Sequence, residues 1–265
     1  MPKPGAQTAA PPERTPILLV AAAVGVGAIA LIARFVTTSP LWLDEALSTN
    51  IAGLPLGDIA DALEHDGHPP LYYLLLHGWM SVFGDTDTAV RALSGVFGVA
   101  CLPLAWLAGR RAGGSTAAAA ATTFVVALSP FAVRYATEAR MYSLVMALVL
   151  VGHLLVRRAM DEGRVGMGAL AGVAVVTALL LWTHYWSMYL LLAVALVIAW
   201  WGRRAGTPPR RVAIRLALAG AVGAVAFLPW VPTLLDQAAH TGTPWAEPAR
   251  PGTCLLYTSP SPRDS

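Results

Sequence analysis

Long apolar runs, separated by short clusters of arginine, constrain this chain more than any other feature of its sequence. The runs are about 18 to 21 residues long, and a helix needs about 20 residues to cross the hydrocarbon core of a bilayer. Hydrophobic residues make up 56% of the chain and charged residues only 12%, which does not fit the surface of a soluble protein. The sequence therefore predicts an all-α polytopic membrane protein and disfavours nucleic-acid binding.

The apolar runs predict about seven crossings. They fall at residues 17–36, 88–109, 115–133, 141–157, 165–183, 185–201 and 212–230. Residues 69–84 are also apolar, but the segment is short, and we expect a re-entrant or outer-leaflet helix there. In residues 54–64 apolar and acidic side chains alternate at helical spacing, which predicts an amphipathic helix on the membrane surface, ended by Gly67.

The charges indicate which way the chain crosses the membrane. Between Phe35 and Val90 there is no Lys or Arg, and this stretch holds eight of the fifteen acidic residues. By the positive-inside rule the first outer loop, residues 37–87, lies outside the cytoplasm and the arginine clusters lie inside. Arginine replaces lysine almost throughout, and Ala and Gly are abundant, which suggests a GC-rich genome. We expect an integral protein of a bacterial plasma membrane.

The two ends of the chain differ in composition from the predicted transmembrane domain, residues 16–253. Residues 1–15 are rich in Pro, Ala and Thr and predict a disordered cytoplasmic segment. Residues 254–265 (CLLYTSPSPRDS) resemble the translated read-through of a sequencing-library adapter. We therefore expect a non-native tail and a chain that lacks the C-terminal part of its protein.

Four polar segments fall on the predicted outer face, at the ends of the crossings. They are Asp44-Glu45, HDGHPP at 65–70, RYATEARMY at 134–142 and THYW at 183–186. Ionisable groups next to hydrocarbon are costly unless they are paired or functional, so their gathering on one face indicates a site.

Each segment also has a structural interpretation. Asp44 or Glu45 is placed to act as a general base or to cap a short helix. The two prolines after His68 provide a rigid mount for the imidazole or mark the first turn of a helix.

The remaining two segments leave similar alternatives open. Arg134 and Glu138, four residues apart, predict an ion pair on one helical face. Arg140 just beyond suits either a phosphate ligand or a lipid headgroup. His184 and Tyr185 suit either a substrate site or an aromatic belt at the membrane surface.

Taken together and in order, four segments resemble the dolichyl-phosphate-mannose protein mannosyltransferase family and its bacterial relatives, which are membrane glycosyltransferases of the GT-C superfamily. They are LWLDEALS, DGHPPLYYLLLHGWMSVFGDTDTAVRALSG, SPFAVRYATEARMYSL and THYWSMYLLLA. The resemblance covers about residues 16–230 and implies the N-terminal part of a larger GT-C fold.

The resemblance implies a transfer of mannose or a similar sugar from a polyprenyl-phosphate donor to an extracytoplasmic protein, lipid or glycan acceptor. Asp44 would be the catalytic base and Glu45 its partner. Residues expected to face the donor phosphate or sugar are His68, Arg91, Glu138, Arg140, His184 and Tyr185. The resemblance implies no particular cofactor or set of metal ligands, and it leaves open a divalent cation bound by the acidic residues.

A polytopic transporter or a non-catalytic membrane assembly subunit is the competing class. Transporters carry charged or Gly/Pro-broken sites at the bilayer midplane and often contain internal repeats. Here the ionisable residues lie at the ends of the crossings, and the second half of the chain does not repeat the first. The pattern favours the transferase.

Single cysteines introduced at Asn50 and Gly206 test the predicted topology. We expect a membrane-impermeant thiol reagent to label the Asn50 position in intact cells and to leave the Gly206 position unlabelled until the membrane is opened. Labelling of the Gly206 position in intact cells would reverse the orientation.

Overall fold

The computed structural model describes residues 17–64, 66–204 and 207–240, with the side chains of the first helix described from Gly25 onward. The expected disordered segment 1–15, the expected non-native tail 254–265, His65 and Gly206 lie outside the described residues. Within the described ranges the regular structure is helical. The helices are α1 Ile17–Ile32, α2 Leu43–Ala52, α3 Ile59–Leu63, α4 Leu71–Phe83, α5 Asp87–Gly113, α6 Thr116–Leu128, α7 Pro130–Ala136, α8 Tyr142–Glu162, α9 Met167–Thr183, α10 Ser187–Arg204, α11 Thr207–Val225 and α12 Val231–His240, with a 3₁₀ turn Leu228–Trp230 before α12.

The helices follow the apolar runs and confirm the all-α polytopic membrane fold. Among the described residues three helices, α5, α8 and α10, are long and apolar enough to cross a membrane, and the number rises to five if each of two bent helix pairs is one span. The helices at the first and fifth predicted crossings, α1 and α9, have 16 and 17 residues. The count of about seven crossings therefore stays a prediction.

The crossing predicted at residues 115–133 is bent, with α6 and α7 meeting at 57°. The bend falls at Pro130, which has no N–H to continue the helical ladder. Carbonyl groups freed near the break receive hydrogen bonds from the fully buried Arg34: its Nη2 donates to the carbonyl of Val126 at 3.0 Å and its Nη1 to that of Ala127 at 3.2 Å. Arg34 thus joins the end of α1 to the broken span.

Glycines on α5 let neighbouring segments approach closely. A Cβ atom at Gly95 would lie 2.9 Å from the backbone oxygen of Arg34, and one at Gly98 would lie 2.7 Å from the Cβ of Ala136. Small residues allow this kind of close helix packing in membranes, where the lipid supplies little hydrophobic driving force. The site-facing end of α5 is therefore held tightly against the turn that follows α1 and against α7.

The segment predicted to be the first outer loop differs from its prediction in one element. The amphipathic helix expected over 54–64 is helical only over Ile59–Leu63, because Pro55 and Gly57 precede it in a turn. Ile59 and Leu63 are fully buried and pack in a protein cluster with Trp230 and other apolar residues. The helix thus covers the protein, and its apolar face is not left for the membrane surface.

The apolar segment at 69–84 forms α4, which has 13 residues. At 1.5 Å per residue it is about 20 Å long, short of the roughly 30 Å of hydrocarbon that a full crossing must span. Tyr72, Tyr73 and Leu76 on this helix are fully buried against the rest of the protein. Its length agrees with the expected re-entrant or outer-leaflet helix, and its packing holds the outer loop on the ends of α5 and α8.

Candidate functional site

The first two candidate residues lie in the first turn of α2, where their environments differ. Glu45 is fully buried, whereas the side chain of Asp44 keeps 41% of its surface exposed. Glu45 receives two hydrogen bonds from Arg91 on α5, from Nε to Oε1 at 2.7 Å and from Nη2 to Oε2 at 2.6 Å. This bidentate ion pair fixes α2 against α5.

Backbone groups complete the shell around Glu45. The N–H of Ala139 donates to Oε1 at 2.8 Å, and the N–H of Trp42 donates to Oε2 at 3.3 Å, as in a helix cap. Burial raises the pKa of Glu45, but the hydrogen bonds from Arg91, Ala139 and Trp42 outweigh it, and the net pKa lies below the ordinary value. Glu45 is therefore an ionised structural residue that also caps α2.

Arg91 makes its hydrogen bonds to the protein itself, and its expected contact with phosphate stays a prediction. Besides its two bonds to Glu45, Arg91 donates from Nη1 to the carbonyl of Ser39 at 2.8 Å and from Nη2 to that of Pro40 at 3.0 Å. These bonds engage the guanidinium with the protein itself. Arg91 holds the chain that leads from α1 into α2.

Arg140, in the turn between α7 and α8, is buried beside Asp44. Its Nη2 is 3.7 Å from Oδ2 of Asp44, and its Nη1 donates to Oγ of Ser48 at 3.1 Å. Its side chain is 4% exposed, and among the described residues its Nε has no hydrogen-bond partner. A buried guanidinium with a spare donor therefore lies beside the exposed carboxylate of Asp44.

His68 connects Arg140 to an acid that the sequence analysis did not select. Nη2 of Arg140 is 3.2 Å from Nε2 of His68, and Nδ1 of His68 is 3.1 Å from Oδ2 of Asp66. Because arginine can only donate, Nε2 must accept, so Nδ1 carries the proton and donates it to Asp66. The three side chains thus define one tautomer of the imidazole.

Asp66 is nearly buried, with 5% of its side chain exposed. Its Oδ2 also accepts a hydrogen bond from the hydroxyl of Tyr73 at 2.6 Å. Burial raises the pKa of Asp66, but the hydrogen bonds from His68 and Tyr73 lower it by more, so the net pKa lies below the ordinary value. The sequence signal for the pair of Asp66 and His68 is the glycine between them. Gly67 has a positive φ of 78° and turns the chain so that the two side chains meet.

His184 lies on the far side of His68. Their ring centroids are 6.2 Å apart, and the ring of Tyr142 is 5.7 Å from that of His184. Burial, together with the nearby His68 and Arg140, lowers the pKa of His184 to about 4. At neutral pH His184 is therefore an uncharged group, and it accepts a hydrogen bond from the N–H of Trp186 at Nδ1.

A groove begins at His184 and runs between the site-facing ends of α8 and α10. Its volume is about 430 Å³. The lining residues are mostly apolar or aromatic: Tyr142, Val145, His184, Trp186, Ser187 and Leu190. Within the part of the chain that the structure describes, Oγ of the buried Ser187 has no hydrogen-bond partner. The groove therefore joins the charged cluster to the apolar surface of the spans.

Glu138 and Tyr185, also expected at the site, are engaged elsewhere. Glu138 accepts from Nε of Arg134 at 2.9 Å, which confirms the ion pair predicted from their spacing. The hydroxyl of Tyr185 accepts from Nε1 of Trp230 at 2.8 Å and donates to Gln237. Tyr185 thus belongs to a network with the 3₁₀ turn and α12, separate from the contacts of Asp44, and its role in substrate binding stays a prediction.

In residues 17–64, 66–204 and 207–240, no three His, Cys, Asp or Glu side chains come close enough together to hold a metal ion. The site that the described residues do form consists of carboxylates, guanidinium groups and imidazoles. Such a set binds anions and transfers protons.

The fold and the site together define an all-α polytopic membrane protein with a cluster of charged groups at one end of its helices. Residues 67–232 match the family of dolichyl-phosphate-mannose-protein mannosyltransferases, and the chain belongs to this family. The match confirms the resemblance drawn from the motifs and implies glycosyltransferase activity; it includes His68, Arg91 and Arg140 and begins after Asp44. No curated protein and no solved structure matches the chain.

Glu45→Gln tests the structural role of the buried ion pair. Removing one partner of such a pair leaves the other charge uncompensated, so we expect the free energy of unfolding to fall by about 3 to 5 kcal/mol. The folded-state pKa of Glu45 lies below its unfolded value, so its contribution is present at neutral pH and is lost as the pH falls below about 4.

The measurement is denaturant unfolding of the purified protein in mixed micelles, with Asp44→Asn as the matched control. Asp44 is partly exposed, so its variant should change the unfolding free energy by less than about 1 kcal/mol. Equal stability of Glu45→Gln and the wild type would show that the pair does not hold the fold.

Proposed function

We propose that the protein transfers a sugar from a polyprenyl-phosphate donor to a hydroxyl group of a protein, lipid or glycan acceptor. The observation that carries this proposal is the contrast between the two acids of α2. Glu45 is buried and fully bonded, whereas Asp44 is partly exposed next to the buried cation of Arg140. An accessible carboxylate on a rigid support, beside an anion-binding group, suits a base and a phosphate leaving group.

The proposed reaction needs one proton transfer at the attacking atom. Asp44 takes the proton of the acceptor hydroxyl while the oxygen of that hydroxyl attacks the anomeric carbon of the sugar. The bond from that carbon to the phosphate oxygen breaks, the electron pair leaves with the polyprenyl phosphate, and the anomeric configuration inverts. The leaving phosphate is already a stable anion, so a dedicated acid is not required.

Arg140 is the proposed contact for the departing phosphate. Its guanidinium carries a donor, Nε, that lacks a partner among the described residues, and the planar fork suits phosphate oxygens. A positive charge at this point stabilises the charge that develops on the leaving group. Since Arg91 is engaged with Glu45 and backbone carbonyls, we assign Arg140 and His68, and not Arg91, to the donor side.

The groove between α8 and α10 is the proposed place for the first part of the lipid chain. Its apolar lining suits isoprene units, and it opens beside His184 and therefore near Arg140 and His68. A neutral His184 can approach an apolar chain at little cost in desolvation. We also propose that this end of the molecule faces outside the plasma membrane of a bacterium, in line with the distribution of arginine.

Asp66 is proposed as a positioning residue. Its carboxylate holds the proton of His68 on Nδ1, and this keeps Nε2 as an acceptor for Arg140. Arg140 is thereby aimed between His68 and Asp44. Without the carboxylate the imidazole can turn or change tautomer, and a protonated Nε2 would face the guanidinium.

Asp44→Asn tests the assignment of the base. The substitution keeps the size of the side chain but removes the proton acceptor, so we expect the rate of sugar transfer to fall by about 100-fold to 10,000-fold. The measurement is transfer from a polyprenyl-phosphate-sugar donor by the protein in detergent or vesicles, after its folding has been checked. A rate within a few-fold of the wild type would remove Asp44 from the mechanism and leave it as a residue of the helix N-terminus.

A double-mutant cycle of Asp66→Asn and His68→Ala tests the positioning role. Asp66→Asn alone should lower the transfer rate by about tenfold, a coupling of ordinary size for neighbouring groups. In the His68→Ala background it should lower the rate by no more than about twofold, because Asp66 then has no imidazole to orient.

Tyr73→Phe is the control, since it removes the other hydrogen bond to Asp66 and leaves the imidazole in place. We expect a smaller effect from it than from Asp66→Asn. An equal loss from Asp66→Asn in both backgrounds would mean that Asp66 acts through the fold of the loop and not through His68.

A further inference from the structure

A second cavity lies at the opposite end of the helices. Its volume is about 540 Å³, and three arginines line it: Arg164, from the connection between α8 and α9, and Arg211 and Arg215, from α11. Helix α8 runs 21 residues from Tyr142, at the candidate site, to Glu162, beside this cavity, a distance of about 30 Å. The cavity is therefore separate from the proposed transfer site and is not explained by it.

The positive charges at this cavity are poorly compensated. Arg164 is 3.7 Å from Oε2 of Glu162, but that carboxylate is already bonded at 2.8 Å to Nε of Arg158. Arg215 makes one long hydrogen bond, at 3.4 Å, to the carbonyl of Val165. Across the described ranges, no carboxylate lies within ion-pair distance of Arg211 or Arg215.

The positive-inside rule accounts for the sign of the charge at this end of the molecule, but it requires only that arginines occur there. It does not require that arginines from the connection between α8 and α9 and from α11 line the same cavity. Arg215 lies eight residues after the start of α11, about 12 Å along the helix axis, so the cavity extends from the helix ends toward the hydrocarbon.

The rest of the lining is apolar. Val165 and Val212 are buried in the core at the base of the cavity, and Ile214 keeps 50% of its surface exposed. Guanidinium groups recognise phosphate oxygens bidentately, and apolar side chains suit glycerol and the first carbons of an acyl chain. A ligand with both parts, at the level of the membrane surface, is a lipid.

We propose that this cavity binds the phosphodiester headgroup of an anionic membrane lipid, with Arg211 and Arg215 on the phosphate and the valines under the glycerol. Basic pockets between membrane helices hold anionic headgroups in this way. The volume lies within the range of small-molecule sites, roughly 300 to 1,000 Å³. The bound lipid would join the connection between α8 and α9 to α11.

Binding of phosphatidylglycerol to the purified protein in neutral detergent, followed by native mass spectrometry, tests the proposal. Arg211→Gln with Arg215→Gln should weaken binding by about tenfold or more, since two charge-assisted contacts are lost. The matched control is Arg203→Gln with Arg204→Gln, which removes the same charge from the same end of the molecule outside the lining of the cavity. It should change the affinity by less than about twofold.

Two further measurements test which chemical group is bound and whether the variants insert and fold normally. Arg211→Lys with Arg215→Lys keeps the charge that directs insertion, and it should still weaken binding, because lysine lacks the bidentate fork. Phosphatidylcholine and inorganic phosphate, added separately as competitors, should fail to displace phosphatidylglycerol. Equal losses in the cavity and control variants, unchanged binding in the lysine variant, or displacement by inorganic phosphate would each overturn the proposal.

Discussion

The buried ion pair between Glu45 and Arg91 is the interaction on which the arrangement of the candidate site depends. It joins α2 to α5, and through the N–H of Ala139 it also holds the turn that carries Arg140. Two charges are costly to bury unless their hydrogen bonds are complete, and here both oxygens of Glu45 are bonded twice. The pair therefore fixes α2, α5 and the turn at Ala139 relative to one another.

The ion pair fixes the position of Asp44, although Asp44 itself is not one of its two partners. Its neighbour on α2 makes the buried contacts, so Asp44 is directed to the open side, beside Arg140. From there the polar contacts continue through His68 to Asp66 and Tyr73. The proposed base lies on α2 and the proposed phosphate contact in the turn between α7 and α8, yet both are supported by buried groups.

The pattern of apolar runs was sufficient to predict most helices, because hydrocarbon leaves the backbone few alternatives to helical hydrogen bonding. The ion pair of Arg134 and Glu138 also followed from spacing alone. The bonding of the carbonyls freed at Pro130 and the burial of α3 did not, since each depends on a distant partner: Arg34 in the first case, and the cluster around Trp230 in the second.

The sequence by itself determined the class of the protein, the family and the segments that form the candidate site, because these depend on composition, order and local spacing. Only the tertiary structure decided which of these residues are buried in the fold and which lie beside one another. It separated Asp44 from Glu45, engaged Arg91 with the protein, and brought Asp66 into the contacts of His68. The physical reason is that burial and long-range hydrogen bonding distinguish side chains of the same type, and neither is encoded in the order of neighbouring residues.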